Sequence, residues 1–163
     1  MNLSEEMEMH RHFMAEAIRM SELNLEGDKG GPFGAVIVKD GQIIAKGSNQ
    51  VTKSNDPTAH AEIVAIRQAC TMLNSFQLTD CDIYCSCEPC PMCLGAIYWA
   101  RPRRVFFAAT RYDAANAGFD DDFIYKELDL SAENRKISTT NLMQKEATLV
   151  FEKWLKLEKK TPY

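Results

Sequence analysis

The sequence predicts an α/β fold, a central mixed sheet flanked by helices. Three observations lead there. Two β-branched runs flank Asp40-Gly41 in GAVIVKDGQIIAKG, and Asp-Gly is a strong signal for a tight hairpin turn. Beyond that hairpin, helical and strand-like patterns alternate along the chain. The 163 residues suit one domain with a real core.

The elements follow in order. Ser4 with Glu5, Glu6 and Glu8 makes a capped, dipole-compatible helix start. Met14, Ala17, Ile18 and Leu25 recur at helical spacing, which predicts a helix over 4–26 ended by Gly27. Strands are expected at 34–39 and 42–47, then a polar loop over 48–57. A second helix, roughly 59–73, takes Thr58 as its N-cap and buries Ile63, Ile66, Ala69 and Cys70. CDIYCS, 81–86, reads as a short apolar strand. Pro89 and Pro91 mark a helix start, and PMCLGAIYWA carries that helix to about Ala100, where Pro102 stops it. VFFAAT, 105–110, is a further strand. A short helix follows from about Asp121, then a weak fifth strand near 137–143 and an amphipathic helix in ATLVFEKWLKLEKK.

Composition narrows the function. The net charge of −4 is not that of a chain built to lie along nucleic acid. The basic run Arg101-Pro102-Arg103-Arg104 reads as a solvated turn. No apolar run approaches ~20 residues, and the acidic start MNLSEEMEMH lacks the pattern of a signal peptide. A cytoplasmic location with no membrane partner is therefore expected. In a reducing compartment, cysteines serve as metal ligands, catalytic groups or core residues more often than as disulfides. Five of the six lie between Cys81 and Cys93; Cys70 stands apart in an apolar helical stretch and reads as core.

CSCEPCPMC, 85–93, holds four cysteines in nine positions. Cys85 and Cys87 alternate at a strand end and read as packing. Cys90 and Cys93 stand at i and i+3 at a helix start. Their side chains sit together there, and the positive helix end favours thiolates. A redox role for this pair lacks the context it needs. Of the three histidines, His10 and His12 read as surface residues of the first helix. His60, in Pro57-Thr58-Ala59-His60-Ala61-Glu62, opens the second helix. His60 and Glu62 serve one site only if it lies off that helix's end. One imidazole and two thiolates make three ligands on tetrahedral Zn²⁺ with one position open, the pattern of a catalytic rather than a structural site. Glu62 is then free to take a proton from water. Singly, His60 and Glu62 also read as ordinary polar residues of a helix start. Together, H-x-E…P-C-x-x-C is the signature of zinc nucleobase deaminases.

HAEIVAIR and SCEPCPMCLGAIYWARP resemble the cytidine deaminase superfamily, in the branch that holds tRNA adenosine, cytosine and guanine deaminases. GGPFGAVIVKDG, SNDPTAHAEI, PCPMCLGAIYWARP and AGFDDDFIYKEL are each similar to guanine deaminases and together cover much of 30–128. The resemblance implies a three-layer α/β/α sandwich around a five-stranded sheet. It also implies zinc-dependent hydrolysis of guanine to xanthine and ammonia, with one Zn²⁺ per subunit. AGFDDDFIYKEL chooses guanine, because the zinc motif is common to the superfamily.

On matching positions, the resemblance implies that His60, Cys90 and Cys93 hold zinc and Glu62 shuttles protons. Asn49, Ala61, Asp121, Phe33 and Tyr163 would contact the base. Read without the family, Asn49 is equally a turn residue, Phe33 a core aromatic, Asp121 a helix N-cap and Tyr163 a chain end. STTNLMQKEATLVFEKWLKLEKKTP matches the family poorly. The family further implies a homodimer whose C-terminal segment, about 144–163, can be exchanged between subunits. Two competing readings are a deaminase of another base (tRNA adenosine, cytosine or a triazine such as ammeline) and a non-catalytic zinc module with Cys85 or Cys87 as fourth ligand.

Overall fold

The computed structural model describes residues 2–26 and 30–163, so the helix stop placed at Gly27 lies outside the described residues. The chain divides into two compact units, Met1–Asp121 and Asp122–Tyr163.

The first unit is the predicted α/β layering. Helix α1 (Leu3–Leu25) leads into strands β1 (Gly34–Lys39) and β2 (Gln42–Ser48). Asp40 and Gly41 both take positive φ, 50° and 73°, as a two-residue hairpin turn requires. A short helix, α2 (Val51–Ser54), occupies the expected loop and precedes α3 (Ala61–Leu73). β3 (Cys81–Cys87), α4 (Pro91–Ala100) and β4 (Arg104–Ala109) form a strand–helix–strand unit, closed by α5 (Arg111–Asn116). The sheet order is β2-β1-β3-β4, with β3 and β4 parallel and the other pairs antiparallel.

Strand alternation sorts the core into two layers. Ala35, Ile37, Cys81, Ile83 and Cys85 face α3 and α4 with Ala61, Ala65, Ala69 and Ile97. Val36, Val38 and Tyr84 face Phe13 and Ala17 of α1. Each fully buried aliphatic side chain here contributes about 1.5–3 kcal/mol by leaving water. Two glycines set the helix–sheet spacing. A Cβ on Gly34 would lie 2.2 Å from the Ala17 carbonyl oxygen of α1, and one on Gly47 would lie 2.1 Å from the Ala61 carbonyl oxygen of α3.

Several expectations are corrected. The sheet has four strands among the described residues, not five: 137–143 forms no strand, having no neighbouring strand to pair with. Thr58 does not cap α3; its N–H and hydroxyl bond Asp56 Oδ1, and His60 is the N-cap. Ala17 is buried as its spacing suggests and Phe13 shares that face, but Ile18 and Leu25 are 39% and 60% exposed. His10 is not a surface residue, because its Nδ1 lies 2.6 Å from the Tyr84 hydroxyl. The basic run is more than a solvated turn. Arg103 and Arg104 both reach the buried Asp82 carboxylate at 2.8 Å, which otherwise would face the interior unpaired.

The second unit comprises α6 (Asp122–Leu128), a single 3₁₀ turn at Ala132–Asn134 and α7 (Gln144–Leu155). The predicted amphipathic helix thus begins and ends earlier than expected. The backbone N–H of Lys136 donates to Glu127 at 2.7 Å, tying the loop after α6 back to that helix. On α7, Val150, Phe151, Trp154 and Leu155 recur at helical spacing and are exposed.

Candidate metal centre and active-site pocket

Two helix starts build the centre. His60 is the N-cap of α3 and Cys90 the N-cap of α4, and neither side chain makes the usual capping hydrogen bond. Ser, Thr, Asp or Asn at such a position would add about 0.5–2 kcal/mol of capping. That stabilisation is forgone at both helices, leaving the imidazole and the thiol for each other. Pro91 at the first position of α4 needs no N–H partner, and Cys93 follows one turn on.

His60 Nδ1 lies 3.6 Å from Cys90 Sγ and 3.5 Å from Cys93 Sγ. One imidazole N–H cannot serve two sulfurs equally. A tetrahedral zinc with Zn–S near 2.3 Å and Zn–N near 2.05 Å puts nitrogen and sulfur about 3.5 Å apart. The observed separations match that edge, and all three donor atoms lie within 4.8 Å of one another. The donor set and these separations therefore fit a zinc ion.

The electrostatics agree. The hydrogen bond from Cys93, with a further one from His60, outweighs burial and holds the Cys90 thiol down at about 4. Cys93, which gives that hydrogen bond, is pushed up. The hydrogen bond to Cys90 raises His60. Glu62, in the first turn of α3, is 8% exposed, and burial raises its carboxyl above the usual carboxylate range.

Neither remaining cysteine of CSCEPCPMC joins the three. Cys85 is packed in the core, and Cys87 donates to the Thr110 carbonyl at 3.6 Å. Burial lifts the Cys87 thiol to about 11, so it is no ready thiolate. The packing reading holds for Cys85, while Cys87 lines the cavity instead, and neither supplies a fourth ligand to the group.

A cavity of about 380 Å³ opens on the centre. His60, Glu62 and Cys90 line it together with Phe33, Asn49 and Asp121, so residues separated by up to 88 positions of chain meet around one space. Phe33 packs edge-on against Phe119 at 4.9 Å between ring centroids. Asn49 is buried, and its Oδ1 accepts the Val51 N–H at 3.2 Å. Burial, then the Cys90 charge, raises Asp121. The helix after it begins at Asp122. Ala61 is not among the lining residues; its side chain joins the core behind β2. Tyr163 ends the second unit with an exposed side chain. Sequence reasoning did not find Cys87, Glu88 or Arg111, which also line the cavity. Glu88 accepts the Arg111 backbone N–H at 3.0 Å, tying the exit of β3 to the start of α5.

The sequence pattern described as the cytidine and deoxycytidylate deaminase zinc-binding region matches residues 7–109. The chain belongs to the cytidine and deoxycytidylate deaminase family. Within that family, it is similar to guanine deaminase of Bacillus subtilis (strain 168), 56% identical over 94% of this chain and 99% of that one. The crystal structure of guanine deaminase from Bacillus subtilis superposes with a TM-score of 0.92, covering 94% of this chain and 98% of that chain. The tRNA-specific adenosine deaminase of Aquifex aeolicus is 43% identical, but over only 60% of this chain and 64% of its own. As in this deaminase family, zinc is the cofactor that the His60, Cys90 and Cys93 group suits.

Proposed function

We propose that the protein is a zinc-dependent guanine deaminase, converting guanine and water to xanthine and ammonia. The observation that carries this is the end-to-end similarity to a guanine deaminase, where the tRNA-specific relative matches only part of the chain. The substrate is a small nucleobase, and the pocket volume suits one.

His60, Cys90 and Cys93 would hold the metal. Bound there, zinc supplies a water acidified to near neutrality. Glu62 is the proton carrier: its buried carboxyl, two residues beyond His60 at the same helix start, takes a proton from water and delivers it to the ring nitrogen beside C2 as oxygen adds to C2. It then takes the remaining proton from the new C2 hydroxyl and delivers it to the exocyclic amine, which leaves as ammonia as the C2–N bond breaks and the C2 carbonyl of xanthine forms. Its raised affinity for protons suits both directions of transfer. Phe33 stacks against the base, and the Nδ2 end of Asn49 donates to a purine acceptor. Asp121 accepts from the base's N–H edge. Ala61 would contribute through its backbone and Tyr163 through its hydroxyl.

The protein is proposed to act in the cytoplasm; no described helix is long and apolar enough to cross a membrane. A homodimer, with the segment 144–163 exchanged between subunits, is supported by the exposed Val150, Phe151, Trp154 and Leu155 on α7. Light scattering on a sizing column, with and without residues 144–163, tests this: the full chain should run as a dimer.

The test of function is ammonia release by zinc-loaded protein from guanine, with adenine, cytosine, ammeline and a tRNA anticodon hairpin in parallel. Guanine should react fastest. Turnover of another substrate alone would keep the zinc chemistry and refute the choice of base.

A further inference from the structure

Asn24 lies in the last turn of α1, away from the zinc motif, and is 4% exposed. Its amide nitrogen donates to two backbone carbonyls: Gly31 at 2.7 Å and Asn49 at 2.9 Å. Both recipients belong to the pocket wall. Gly31 leads into Phe33, whose own N–H bonds the same Gly31 carbonyl at 2.8 Å. The Asn49 N–H in turn bonds the Phe33 carbonyl at 3.1 Å. One side-chain NH₂ therefore joins two stretches of chain that each present a pocket residue.

The junction is tightly packed. Gly30 has φ of 149°, and a Cβ there would lie 2.5 Å from the Asn49 carbonyl oxygen and 3.0 Å from Asn24 Nδ2. Only a glycine lets the backbone approach this closely. A primary amide is the neutral side chain that offers two donors from one atom, so it can satisfy two carbonyls at once. An aspartate of the same shape would turn oxygen toward oxygen.

We propose that Asn24 is a positioning residue for the pocket, fixing Asn49 and Phe33 where they grip the base. It acts through them and touches no reacting atom. The metal and proton groups stand on α3 and α4, whose starts make no bond to Asn24. Loss of the amide should weaken the hold on substrate and leave the chemical step alone.

This rests on the guanine deaminase reading, and the experiment separates the two. Wild type, Asn24→Asp, Asn24→Ser and Gly30→Ala are compared for kcat and KM on guanine, zinc per chain, melting temperature and affinity for hypoxanthine. Hypoxanthine lacks the 2-amino group and cannot be deaminated at C2. Folded variants should show KM and hypoxanthine Kd raised by about tenfold or more, with kcat within about threefold of wild type and zinc at one per chain. If Asn24→Asp does not fold, Asn24→Ser carries the test, since it brings no charge and keeps one donor. A lower melting temperature with KM and Kd unmoved would overturn the proposal in favour of a purely structural role. So would a parallel fall in kcat and zinc, or failure of all three variants to fold. Wild type inactive on guanine would instead overturn the substrate assignment.

Discussion

Gly47→Ala is a sharp test of how the fold delivers the centre. Gly47 lies in β2, where α3 crosses it, and carries no functional atom. A Cβ there would stand 2.1 Å from the Ala61 carbonyl oxygen and 2.8 Å from the Ala65 nitrogen. Both contacts are backbone, so no side chain can swing aside. Restoring an ordinary contact moves the first turn of α3 from the sheet by about 1.3 Å, and displacement of catalytic groups by about 1 Å costs about 10²-fold in rate. That turn carries Glu62, and His60 is its N-cap. Overpacking also destabilises by about 1–3 kcal/mol, which lowers the melting temperature by about 2–12 °C in a chain of this size. The assays are ammonia release from guanine, zinc retained after dialysis against a chelator, and a thermal melt. Gly95→Ala is the control: a Cβ there meets nothing within 4 Å, and in the helix interior it should stabilise by about 0.5–1 kcal/mol. Gly47→Ala protein with wild-type kcat/KM and zinc retention would refute the claim that this contact sets the position of α3.

Other substitutions probe the chemistry directly. Glu62→Gln keeps the shape of the buried side chain but cannot carry a proton; kcat should fall by about 10²–10⁴ with zinc still one per chain, and zinc loss would make Glu62 a ligand instead. Cys90→Ser or Cys93→Ser should strip zinc, whereas Cys85→Ser and Cys87→Ser should retain it, as read by metal analysis after gel filtration. Retention by the first pair and loss by the second would reverse the ligand assignment. The hydrogen bonds of Arg19 and then Lys46 hold the Glu16 carboxyl down at about 2, against a usual 4.5. It ionises at lower pH folded than unfolded, so its stabilisation is complete above about 4.5 and fades as the pH falls toward 2. Urea melts of Glu16→Gln should therefore lie below wild type at pH 6 and converge with it near pH 2; a gap independent of pH would mean the loss is one of packing.

The parts of the site that could be read in the sequence are those governed by local geometry. His60 and Glu62 share one helix start, Cys90 and Cys93 another, so spacing along the chain maps onto spacing in the molecule. The Asp40-Gly41 turn is legible for the same reason, because φ preference belongs to the residue itself. At α3, rather than to His60, the local pattern points to Thr58, the better capping residue by type. Asp56 takes its hydroxyl, and His60 holds the cap position with its side chain turned to the metal ligands. The segment 137–143 carries a strand-like pattern, but a strand exists only through a partner, which no local pattern guarantees. Nothing in α1 alone marks His10 for the interior, because its hydrogen-bond partner, Tyr84, lies on another element.

By itself the sequence determined the class of fold, the zinc chemistry and the family, because periodicity, turn preference and ligand spacing are short-range properties. Tertiary structure decided that Asp82 gathers Arg103 and Arg104, and it brought Asn49 and Phe33, which the sequence offered only through resemblance, to one cavity with His60 and Cys90. It also decided that Asn24 joins two pocket walls. The hydrogen bonds of Asn24 and Asp82 span from 7 to 25 residues of chain and depend on burial, which removes competing water and leaves each polar group to the partner that packing brings.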